Sequence, residues 1–125
     1  MQTKKIKAIW FSRHEPSPAQ LADLDIANIE AGMALGAQSI TSPEEAAAMA
    51  RTLRALAKEH GATAVAGVFS TAMLEEAWKN AIFAVQRGDF GGGSISLLAA
   101  VNESRTPEGG TSTFAHLRWG EIGVI

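Results

Sequence analysis

Arg13 and His14 stand together at the abrupt end of an apolar run, in Trp10-Phe11-Ser12-Arg13-His14-Glu15-Pro16. Arg13 offers a planar, permanently charged fork suited to phosphate or carboxylate. His14 is the nearby group able to exchange protons close to neutral pH. Ser12 adds a hydroxyl beside them. A second apolar run, Thr63 to Phe69, also ends in hydroxyls, at Ser70 and Thr71. If the two runs are neighbouring strands, these residues form a two-sided cradle for an anionic ligand. Arg105, close to Glu103, is a further cation that could reach it. Each residue also has a plain structural use. Arg13 can pair with Glu15, Ser12, Ser70 and Thr71 can cap turns or helices, and Arg105 can be solvated in a loop.

Several chemistries are excluded or disfavoured. The chain has no cysteine, which removes thiolate nucleophiles, disulfides and Cys-ligated zinc. His14, His60 and His116 are widely separated, with no H-x-H or H-E-x-x-H spacing, so no metal site is expected. Gly91-Gly92-Gly93 precedes a strand pattern and lacks the spacing of a phosphate-binding glycine loop. No cofactor is implied. The formal net charge of -2 argues against a broad grip on duplex nucleic acid, which needs many Lys and Arg contacts to phosphate. No apolar stretch is long enough to span a membrane, and the apolar segment after the basic start is too short for a signal peptide. A cytoplasmic location is the expectation.

The elements that must position these residues follow from periodicity and punctuation. With 125 residues, 46% of them apolar, the chain makes one domain, 1–125, with a real core. Ile6 to Phe11 reads as a parallel strand that is buried on both faces toward its end. Ser17-Pro18-Ala19-Gln20 has the grammar of a helix start, with a capping serine, proline at the first position and Gln20 able to bond back. Ser42-Pro43-Glu44-Glu45 repeats that grammar. Ala46, Met49, Ala50, Leu53, Leu56 and Ala57 then recur at helical spacing until His60-Gly61 ends the helix. His60 is expected to be structural.

Thr63 to Phe69 is a second core strand. The helix after Ser70-Thr71 is expected to bury Leu74, Ala77, Trp78, Ala81, Ile82 and Val85, and to pair Glu75 with Lys79. Between Asp25 and Thr41 the pattern is less decisive. Ile26 to Glu30 fits a short strand followed by a loop at Gly32 and Gly36, while Met33-Ala34-Leu35 fits a helical turn. Strands at Ser94 to Asn102 and Phe114 to Val124 close the chain as an antiparallel hairpin, with Pro107 and Gly109-Gly110 in its connector. The sum is an α/β, three-layer, Rossmann-like domain with a mostly parallel sheet, the first strand lying between the second and third.

In the hairpin, strict alternation places Phe114, His116 and Arg118 on one face and Ala115, Leu117 and Trp119 on the other. Leu97 to Val101 is apolar on both faces. A small domain needs a second cover for that surface, so a homodimer is expected, with His116 and Arg118 at its interface or on the surface.

The motifs Trp10-Phe11-Ser12-Arg13-His14, the Ser17-Pro18-Ala19-Gln20-Leu21 helix start, Arg105-Thr106-Pro107-Glu108-Gly109-Gly110 and Phe114-Ala115-His116-Leu117-Arg118-Trp119 resemble one group of proteins. These are the small stand-alone CRISPR-associated proteins with a Rossmann-like fold similar to CARF domains, which act in antiviral defence. The resemblance implies a homodimer that binds a cyclic oligoadenylate in a two-fold cavity at its strand ends. It further implies metal-independent cleavage, in which a 2′-OH of the ligand attacks its own phosphodiester. Arg13 would then stabilise charge, His14 would be the acid or base, and Ser12, Ser70 and Thr71 would position phosphates. The Arg-His pair is also similar to the entry of histidine phosphatases, but Glu15 stands where those have glycine. Three alternatives stay open: a non-catalytic nucleotide sensor or sponge, a protein-interaction module with no nucleotide ligand, and an enzyme on some other phosphorylated metabolite, since a fold does not fix function.

Overall fold

In the computed structural model, which describes residues 5–87, 95–105 and 113–125, the elements run in the order β-α-β-α-α-β-α-β-β. They are β1 (Ile6–Phe11), α1 (Pro18–Asp23), β2 (Leu24–Ala27), α2 (Ile29–Gly36), α3 (Pro43–Glu59), β3 (Ala64–Gly67), α4 (Thr71–Arg87), β4 (Ser96–Arg105) and β5 (Thr113–Val124). The five strands form one sheet in the order β2-β1-β3-β4-β5. The first four are parallel to one another and β5 is antiparallel to β4. The layout is the expected Rossmann-like one, with β1 between β2 and β3.

Local chemistry starts the helices where the sequence predicts. Ser17 and Gln20 form a reciprocal capping box at α1, with Pro18 in its first turn. Ser42 caps α3 through the Glu45 amide, and Ser70 accepts from the Met73 amide at the start of α4. His60 follows α3, and Gly61 takes the left-handed conformation that ends it. His60 also meets the Asn28 amide group, 3.2 Å away.

The segment from Asp25 to Thr41 follows the helical alternative at Met33-Ala34-Leu35 and not the strand-then-loop. The strand is earlier, and a helix runs through both glycines. Asn28 tolerates a positive φ of 51° and caps α2, which redirects the chain at once. Gly32 and Gly36 lie one turn apart and face the β1 backbone. A Cβ on Gly32 would sit 2.0 Å from the Trp10 carbonyl oxygen, and one on Gly36 would sit 2.4 Å from the Ser12 nitrogen. These residues are contact points between helix and strand, not loop formers.

Both faces of the sheet are covered within one copy of the chain. Ile9, Phe11, Val65 and Leu97 meet Met49 and Leu53 of α3 and Met73 and Ala77 of α4. On the other face Trp10, Ala66 and Leu98 pack with Ile29 and Met33 of α2 and with Trp119. Completely buried side chains such as Leu53 and Met73 stabilise the fold by roughly 2–3 kcal/mol each. Leu97 and Leu98, on opposite faces of β4, are therefore buried without a second copy. Ala99, Ala100 and Val101, further along β4, stay half-exposed.

Three details correct the strict periodic reading. In α4 Ala77 is buried as expected, but Met73 is buried with it while Leu74 and Trp78 are exposed, and the side chains of Ala81, Ile82 and Val85 lie outside the described residues. Lys79 pairs with Glu76 at 3.6 Å instead of Glu75. In the hairpin, the register passes from Val101↔Arg118 to Asn102↔His116, so Leu117 has no opposite residue. A bulge of this kind breaks the two-residue alternation. It brings His116 and Trp119 to one face, ring centroids 5.2 Å apart. The imidazole of His116 is accordingly buried, with Nε2 3.5 Å from the Asp23 carboxylate, and does not project from the surface. Arg118 is exposed.

Candidate functional site

The carboxyl edge of the parallel sheet opens into a crevice of about 450 Å³. Register explains its position: Phe11, Gly67 and Ala99 are aligned across β1, β3 and β4, and the chain leaves the sheet just beyond the first two. Ser12, His14 and Glu15 line it after β1, Val68 and Phe69 after β3, and Ala100 and Trp119 from the hairpin. This is the place where open α/β sheets hold ligands.

The loop after β1 is held by backbone-directed bonds. Trp10 donates its indole N–H to the His14 carbonyl at 2.7 Å. Ser12 is buried and its hydroxyl accepts the His14 amide at 3.2 Å. Trp119 donates its indole N–H to the Gln20 carbonyl at 3.1 Å, which docks α1 against β5. The two indoles meet edge to face with centroids 6.0 Å apart. Small residues on the intervening strands, Ala66 and Ala100, fit this pairing. The backbone of His14 is thus fixed while its imidazole stays exposed at the crevice.

The sequence-predicted residues divide into four groups. Ser12 and His14 meet at the crevice, Ser12 through a turn-stabilising bond and His14 through an open side chain. Arg13 is exposed at the strand end but does not line the crevice. Ser70 and Thr71 start α4, where Ser70 serves as a cap; their neighbours Val68 and Phe69 are the ones that line the crevice. Arg105 ends β4 opposite Thr113, and its side chain lies outside the described residues, as does the connector 106–112 with Pro107, Gly109 and Gly110. The glycine run 91–93 lies outside them too.

Residues not singled out from sequence also belong to the site. Glu15 lines the crevice next to His14, so the crevice carries two groups able to move protons, not one. Phe69, Gln20 and Trp119 complete its walls. The adjacency of Glu15 to His14 was visible in sequence, but the contribution of Trp119 depends on a contact between residues 99 positions apart. Among the described residues, no group of three or more His, Asp or Glu side chains converges in a way that could hold a metal ion. No helix among them is long and apolar enough to cross a membrane. No family model, characterised protein or solved structure matches this chain.

Proposed function

We propose that the protein binds a cyclic oligoadenylate at the carboxyl-edge crevice and cleaves it without a metal. The observation that carries this reading is the joint placement of His14 and Ser12 at the end of β1, in a crevice that also has an aromatic wall. In the proposed reaction a ribose 2′-oxygen loses its proton and bonds to the adjacent phosphorus. The bond from phosphorus to the 5′-oxygen breaks, and that oxygen takes a proton. The products carry a 2′,3′-cyclic phosphate and a 5′-hydroxyl. His14 moves one of these protons and solvent water exchanges the other, and Arg13, exposed beyond the end of β1, would supply positive charge to the phosphate. Alignment of the 2′-oxygen with the breaking bond supplies much of the acceleration in such a step. Two copies of the chain, each bringing one crevice, would match the two-fold symmetry of an even-numbered ring.

A binding-only role is the second reading, favoured by the position of Arg13 outside the crevice lining. The test is incubation of purified protein with labelled cyclic tri-, tetra- and hexa-adenylate in EDTA, reading binding and cleavage together. Cleavage that disappears in His14→Ala supports the nuclease. Tight binding with no product makes the protein a sponge or sensor. Absence of binding to every ring rejects the nucleotide reading.

A further inference from the structure

We infer that the apolar half of the crevice is a slot for a planar aromatic ring, with Phe69 as its platform. On the reading proposed above, on which this inference rests, that ring is a nucleobase of the ligand. Val68 is 72% exposed, and Leu74 and Ile122 are exposed as well. All three line the crevice, out of five large apolar side chains exposed among the described residues. Single exposed apolar residues are ordinary, but their convergence in one concavity marks a binding surface.

Three separate elements deliver them. Val68 comes from the chain leaving β3, and Leu74 from the first turn of α4. Ile122 is the extra residue of a second bulge, where the register passes from Leu97↔Gly123 to Leu98↔Glu121. A bulge can re-aim a side chain in this way. Phe69 stacks on the buried Phe11, with centroids 5.7 Å apart and planes inclined by 18°. Its orientation is set by the core before any ligand arrives, which lowers the ordering cost of binding.

The part of the crevice wall supplied by the loop after β1 is polar, with Ser12, His14 and Glu15. An occupant must therefore join an apolar, planar part to a polar part within a small-molecule-sized space, as a nucleotide does. A base stacked on an aromatic side chain is held irrespective of its hydrogen-bonding edge, so the slot confers affinity for the ring system itself.

Isothermal titration with adenosine, ribose 5-phosphate and cyclic tetra-adenylate tests the slot on the wild type, Phe69→Leu and the double variant Val68→Ser/Ile122→Ser. The double variant changes exposed side chains and guards against loss of folding in Phe69→Leu. The slot predicts that adenosine binds at least about tenfold more tightly than ribose 5-phosphate, and that both variants lose about tenfold for adenosine and the ring. Cyclic tetra-adenylate bound within twofold of wild type by both variants overturns the slot and leaves the ring reading standing. Phe69-dependent binding of adenosine, with no binding of the ring, keeps the slot and rejects the cyclic ligand. A double variant that changes the sedimentation of the protein but not ligand affinity overturns the slot and assigns the patch to self-association. No binding of any probe rejects both readings.

Discussion

Gly32→Ala is expected to destabilise the protein, although the same change on an exposed helix face would stabilise it. Alanine gains about 1 kcal/mol over glycine in a helix interior. Here the new methyl would lie 2.0 Å from the Trp10 carbonyl oxygen and 2.6 Å from its carbon. An ordinary carbon–oxygen contact is about 3.3 Å, so α2 must retreat from β1 by roughly 1 Å. The obstacle is backbone in a buried strand and has no rotamer by which to move aside. A gap of that size forfeits a quarter to a half of the dispersion attraction across the interface, here that of Ile29 and Met33 against the Trp10 face. Overpacking of this kind costs about 1–3 kcal/mol, and the rigid obstacle favours the upper end. After the propensity gain, the net loss is about 2 kcal/mol. For 125 residues, unfolding entropy of roughly 2.1 cal/mol/K per residue converts this to a Tm lower by about 8 °C. Urea unfolding and calorimetry of Gly32→Ala, with Ala34→Gly on the exposed face of α2 as the propensity control, provide the assay. A Gly32→Ala protein as stable as wild type, or more so, would refute the close packing of α2 on β1.

Three further outcomes are expected. His14→Ala should change stability by less than about 0.5 kcal/mol in urea titration, because the hydrogen bonds of this exposed residue come from its backbone; a much larger loss would make the imidazole structural. Trp119→Phe should cost about 1 kcal/mol through the lost bond to the Gln20 carbonyl, and should speed amide exchange in α1 more than in α3; equal protection of α1 in both proteins would contradict its docking role. The carboxyl of Glu45 is held below its ordinary pKa by hydrogen bonds, first from the Ser42 hydroxyl and then from Thr41. A lowered carboxylate pKa contributes stability that is present above its unfolded value and lost as pH falls through the folded one. Ser42→Ala should therefore lower stability at neutral pH, by about 1 kcal/mol for the lost cap, and flatten the decline as pH falls through the carboxylate range. An unchanged acid limb in a stability–pH series would remove Ser42 as the cause.

What could be read from the sequence was whatever depends on near neighbours along the chain. The Ser17-Pro18 and Ser42-Pro43 starts, the His60-Gly61 stop and the apolar run to Phe11 act over a single turn or strand, so composition and spacing determined the Rossmann-like order of elements. The placement of Ser12 and His14 beyond β1 followed directly. Position in the chain alone did not separate His14, which lines the crevice, from Arg13, which does not. Nor could alternation survive the two bulges, one of which buries His116 beside Trp119 while the other turns out Ile122. Gly32 looked like a loop residue because the strand that requires its missing side chain is more than 20 residues away. Leu74, Ala77 and Trp78 share the helical stripe, yet only the actual packing of α4 shows that Ala77 faces inward with Met73 while Leu74 and Trp78 do not. Local rules specify which elements form and where they begin, because their energies arise within one turn. The walls of the crevice depend on register, bulges and close backbone approach, which arise only when distant segments compete for the same space.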